Sequence, residues 1–74
     1  MERDFRIFDK YTNDFIGAFN STEEKAKDKA LQIIKARNES RKQIGFTPYT
    51  EIFVSACYIP TEKEYQFSLS VTEN

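Results

Sequence analysis

Apolar residues recur at helical spacing in one stretch of this 74-residue chain, between Ser21 and Gly45, and on either side of it they alternate at a period of two. A chain built this way has one helix to set against whatever its strands form. A sheet has two faces, and one helix covers only one of them. The order of segments, ββαββ, therefore predicts a single α+β domain over residues 1–74, in which a four-stranded antiparallel sheet carries one helix packed on one face.

The helical stretch opens with Ser21 and, three residues on, Glu24, the pattern of a capping box, and Glu23 adds negative charge where the helix dipole is positive. Ala26, Ala30, Ile33, Ile34 and Ile44 fall in one sector, with Lys25, Lys29, Lys35, Glu39 and Lys42 mostly outside it. Gly45, followed by Phe46 and then Pro48, is placed as the residue just past the helix end in a Schellman-type stop. The expected helix runs from Thr22 to about Ile44, frayed after Asn38, and packs through Ala26, Ala30, Ile33 and Ile34 onto Phe67 and Leu69 of the last strand.

The first strand, Arg3 to Tyr11, sets Phe5, Ile7 and Tyr11 against Arg6 and Phe8. Thr12-Asn13-Asp14 turns the chain into a second strand with Phe15 and Phe19 on one face and Ile16 and Ala18 on the other. Gly17, between the two phenylalanines, marks a bulge or a close approach by the helix. The third strand, Tyr49 to Ile59, is apolar on both sides: Ile52, Val54, Ala56 and Tyr58 oppose Phe53, Ser55, Cys57 and Ile59. After a turn at Pro60–Lys63, Tyr65, Phe67, Leu69 and Val71 alternate with Gln66, Ser68, Ser70 and Thr72, so the fourth strand has one wet face.

What the chain lacks narrows its chemistry. It has no histidine and one cysteine, so neither a Ser-His or Cys-His nucleophile pair nor a common zinc site assembles within it. Two glycines are too few for a phosphate-cradling loop or a dinucleotide fingerprint. We therefore expect no cofactor, no metal and no enzymatic activity. The lone Cys57 fits a reducing compartment and reads as a small hydrophobe. With no apolar run near the roughly 20 residues that span a bilayer, and no signal-peptide pattern at Met1-Glu2-Arg3-Asp4, the expected location is cytoplasmic, away from membranes.

Three features remain as candidates for recognition. The net charge of −1 disfavours a generally basic nucleic-acid binder, yet it hides an asymmetry: the helix holds seven basic residues against four acidic ones, and the rest holds four against eight. The plain reading is that these charges complement the helix dipole and keep an exposed face solvated. Arg37 and Arg41 lie close to the apolar line of the helix, so each needs a partner: an intrachain acid, Asp9, Glu51 or the chain terminus, apolar surface over which it snorkels, or a carboxylate or phosphate on another molecule. Finally, the sheet face away from the helix is expected to carry Phe8, Ile16, Phe53, Cys57 and Ile59, an aromatic surface of the composition that interfaces use.

In format, the size, the ββαββ order and the aromatic, catalytically empty surface resemble small phage-encoded proteins that block host enzymes or defence complexes by binding them. That resemblance of format implies an inhibitor or adaptor acting by surface occlusion on a protein partner. The contact residues expected from their places on the helix and on the open sheet face are Arg37, Arg41, Phe53, Phe8 and Ile59, with a homodimer as one arrangement. The alternative is a small nucleic-acid-binding protein that uses the basic helix or the aromatic sheet face.

Overall fold

The computed structural model describes residues 2–57 and 66–71. Its elements follow the expected order: β1 (Arg3–Asp9), β2 (Phe15–Ser21), α1 (Glu23–Gln43), β3 (Glu51–Cys57) and β4 (Gln66–Ser70). The expected positions of Tyr58, Ile59, the turn at residues 60–63, Tyr65 and Thr72 lie outside the described residues. The four strands form one antiparallel sheet in the order β2-β1-β3-β4.

β1 and β2 make a hairpin whose turn is held from within. Asn13 takes a left-handed φ of 63°, which asparagine tolerates better than most residues, and its N–H donates to the Asp9 carbonyl at 2.8 Å. The ladder then runs from Arg3 opposite Ser21 to Ile7 opposite Gly17, but Phe8 pairs with Phe15, so Ile16 is an extra residue in a bulge. This corrects the expectation that Phe15 and Phe19 share a face. One inserted residue inverts the alternation beyond it. Phe19 stacks on Phe5 on the helix side, with ring centres 5.2 Å apart, whereas Phe15 meets the edge of Phe8 on the far side. Ile16, expected on the open face, is buried in the core.

The helix begins one residue later than the capping box implies. Thr22 is the N-cap and its hydroxyl accepts from the Lys25 N–H at 3.3 Å, while the buried Ser21 hydroxyl donates to the Thr22 carbonyl. Ser21 has already been taken by the end of β2. At the other end Gly45, at φ +86°, donates to the Lys42 carbonyl and Phe46 to the Arg41 carbonyl at 2.8 Å, which completes the expected Schellman stop. Ile44 caps the last turn and stays 66 % exposed, so the apolar sector closes before it.

Ala26, Ala30, Ile34 and Asn38 form the buried line of the helix, each four residues after the last. Beneath it lie Phe5 and Ile7 of β1 and Ile52, Val54 and Ala56 of β3, all fully buried. The helix makes its closest approach to β2 and β1 rather than to β4. Phe67 and Leu69, expected directly under the helix, therefore pack on the margin of the core and are only half-buried.

Because Ile34 sits at the centre and Leu69 at the margin, Ile34→Ala should cost about 2 to 5 kcal/mol and Leu69→Ala clearly less. Urea unfolding of the two variants checks the order. Equal losses would place the core under β4 after all.

Candidate functional site

With the helix on one side, the other side of the sheet is left to the alternate residues of each strand. Across β2, β1 and β3 the register sets Phe15, Phe8 and Phe53 in one row, which ends at Ser68 of β4. Phe15 and Phe8 meet edge to face, with ring centres 5.9 Å apart. Phe15 is 59 % exposed, and Phe8 and Phe53 are half-buried by their neighbours in the sheet.

Polar residues frame this row along the strands. The adjacent row holds Ala18, Arg6 and Ser55, and beyond it Asn20 Nδ2 donates to Asp4 Oδ1 at 2.9 Å. On the opposite flank Ser70 Oγ reaches the Glu51 carboxylate, at 2.9 Å from Oε1. An apolar centre inside a mixed polar rim is the anatomy of a protein interface. Among the described residues the frame holds two cations, Arg6 and Lys10, whose N–H donates to the Glu51 carbonyl at 3.1 Å, interspersed with the carboxylates of Asp4 and Glu51, so charges of both signs alternate around the row rather than forming a basic track for a phosphate backbone.

The two arginines singled out from the sequence lie on the helix side of the sheet, away from these phenylalanines. Arg41 is half-buried at the helix end, where its Nε donates to the Thr47 carbonyl at 2.7 Å and its Nη1 to the Tyr49 hydroxyl at 3.1 Å. Its guanidinium also lies 4.1 Å from the Tyr49 ring centre and 5.4 Å from that of Phe46. Neither Asp9 nor Glu51, the acids expected to receive it, takes that role. A carbonyl, a hydroxyl and two rings do. Arg37 is exposed and reaches β2 at Gly17, with Nη2 3.9 Å from the point a Cβ there would occupy. Ile59, the remaining candidate, is outside the described residues.

Sequence reasoning passed over two residues. Phe15 joins the open face only because of the bulge, whose one signal was Gly17. Asn38, after which the helix was expected to fray, is fully buried within a helix that continues to Gln43: its Nδ2 donates to the Tyr49 carbonyl at 2.9 Å and its Oδ1 accepts from the Tyr49 N–H at 2.7 Å. The carboxamide thus pairs with a backbone amide as a neighbouring strand would. Its place four residues after Ile34, on the line of Ala26 and Ala30, was the available clue.

Among the described residues no three His, Cys, Asp or Glu side chains converge as a metal site would require, and no helix is long and apolar enough to cross a membrane. Comparison of the chain with protein-family models, curated proteins and solved structures finds no match.

Asn38→Ala removes both partners of the Tyr49 amide and should cost about 2 to 4 kcal/mol. Arg41→Ala should cost about 1 to 2 kcal/mol, through the lost carbonyl bond and ring contacts. Arg37→Ala should change stability by no more than about 0.5 kcal/mol. Thermal denaturation of the three variants reads the ranking, and an Arg41→Ala protein as stable as Arg37→Ala would show that Arg41 does not hold the helix end in solution.

Proposed function

We propose that this chain is a non-enzymatic binding domain that docks a protein partner on the open face of its sheet and acts by covering a surface of that partner, as an inhibitor or adaptor does. The observation that carries this reading is the row Phe15, Phe8 and Phe53, three aromatic side chains contiguous across three strands with no second layer over them among the described residues. Aromatic side chains bury much area at little cost in side-chain order, which is why they dominate binding energy where partners meet. Arg6, Asp4 and Glu51 around the row would set orientation by charge rather than add much affinity.

Phe8 and Phe53 also sit side by side on the two central strands, a placement that suits stacking of single-stranded bases. The charge of the face argues against that alternative, since among the described residues Arg6 and Lys10 are matched by the carboxylates of Asp4 and Glu51 and leave no excess of positive charge. A salt series separates the two: binding to an oligonucleotide weakens log-linearly with salt, whereas binding through an aromatic core does not.

The test uses the full chain as bait with extracts of its native host, and each retained protein is then purified and titrated calorimetrically. Phe53→Glu buries a charge at the centre of the interface and should weaken binding by at least about 2 kcal/mol, while far-ultraviolet circular dichroism stays that of the folded protein. Lys35→Ala, on the helix, should leave the affinity unchanged. A partner that binds wild type and Phe53→Glu equally would remove the open face from the interface, and a salt-sensitive oligonucleotide lost in Phe53→Glu would replace the protein reading with the nucleic-acid one.

A further inference from the structure

Among the described residues the sheet ends in two edge strands, β2 and β4, and they are not alike. β2 is bulged at Ile16, and Lys29 Nζ reaches down from the helix to donate to the Asn20 carbonyl at 3.0 Å. Bulges and lysines are devices by which an edge refuses a further strand. β4 has neither: its pairing with β3 is regular, and Gln-Phe-Ser-Leu-Ser carries no charge and no proline.

The outward groups of β4 follow from one hydrogen bond. Val71 N–H donates to the Thr50 carbonyl at 2.8 Å, and antiparallel ladders alternate between bonded and non-bonded pairs. Leu69 and Phe67 therefore exchange bonds inward with Ile52 and Val54, and the N–H and C=O groups of Ser68 and Ser70 turn outward. On the helix side, Phe67 and Leu69 remain half-buried because the helix lies toward β2 and β1.

We propose that β4 pairs antiparallel about Ser68 with β4 of a second copy, joining two sheets into one of eight strands. What selects a second copy is that β4 complements itself. Antiparallel pairing about Ser68 sets Ser68 against its counterpart, Phe67 against Leu69, Leu69 against Phe67 and Gln66 against Ser70. Each apolar side chain then meets an apolar one on the helix side, and each polar one meets a polar one on the open side. Phe67 and Leu69 fall at non-bonded positions, where facing side chains come closest, so the margin of each core is closed by the other. A slip of one residue would set Phe67 against Ser68 and put the two helices on opposite faces. No charged residue of β4 opposes another, since it has none. The two aromatic rows stay on one continuous open face, and the contact is made through the main chain of the β4 edge while docking at Phe53 uses the side chains of the face beside it.

Sedimentation velocity of the full chain tests the pairing. The wild-type protein should sediment as a dimer, at twice 8.7 kDa. Ser68→Pro removes an N–H that points away from β3, at an edge position where proline is tolerated, so it should leave the monomer folded and weaken dimerisation by at least about tenfold. Phe53→Glu should leave the dimer intact. Should Ser68→Pro fail to fold by circular dichroism, Ser68→Cys in a Cys57→Ser background decides, because two cysteines facing across the dyad lie within disulfide reach and mild oxidation should yield a covalent dimer. A wild-type chain that stays monomeric at millimolar concentration would overturn the proposal, including one whose β4 instead takes up an extended segment of another protein. So would a dimer undiminished by a folded Ser68→Pro, a dimer dissociated by Phe53→Glu, or a Ser68→Cys variant that does not cross-link.

Discussion

A single carboxamide ties the two halves of this fold together. The hairpin β1–β2 and the helix follow one another with little freedom between them, but the chain must then leave the helix, cross back and enter the sheet beside β1. Asn38 holds that crossing by giving the Tyr49 amide a donor and an acceptor inside the core. Burying an unpaired carboxamide and an unpaired backbone amide would be costly, and pairing them removes both costs at once. Arg41, one turn on, closes the same connection from outside through Thr47 and the rings of Tyr49 and Phe46. β3 therefore starts from a fixed point, and the register that places Phe53 beside Phe8 descends from it.

The second governing constraint is width. A helix with its side chains is about 10 to 12 Å across, and four strands at about 4.8 Å spacing span more than that. One helix cannot roof the sheet evenly, and here it settles over β2 and β1. Ile33 and Arg37 lie over β2 at Gly17, where a Cβ would stand in ordinary contact with Ile33 Cγ2 at 3.8 Å. Leaning to one side leaves β4 with half-buried Phe67 and Leu69. Among the described residues, the helix leaves the open face and the β4 edge without a layer of its own over them, as follows from setting a single helix on four strands.

Much of this was readable in advance, for identifiable reasons. Periods of two and 3.6 gave the order of elements, and Gly45 with Phe46 located the helix end, because those signals are local and little competes with them. The errors fell where two elements contend for one residue. Ser21 was claimed by β2 before it could cap the helix, and Ile16 entered the core because a bulge, which alternation alone does not reveal, shifted the register. Asn38 anchors the stretch after which fraying was expected, because its position on the buried line lets a polar side chain bind the Tyr49 backbone inside the core. Phe8 and Phe53 came together on the open face as their alternation implied, and their neighbour Phe15 came with the bulge.

The helix is the other surface within reach of a partner, and its charges argue against it. Seven basic residues suggest a patch only if they act together. Three are already occupied: Lys29 holds the Asn20 carbonyl, Arg41 the Thr47 carbonyl, and Lys42 has an interaction of its own. At about 100° per residue, the other four, Lys25, Lys27, Lys35 and Arg37, point at roughly 0°, 200°, 280° and 120° around the axis, which scatters them over the whole circumference. Glu24, Asp28 and Glu39 lie among them. A phosphate backbone is recognised by cations that converge along one track, and dispersed charges of both signs instead keep an exposed helix solvated. The sheet side differs in kind, because its three phenylalanines are gathered by register into one row and cannot disperse without breaking the ladder that holds them.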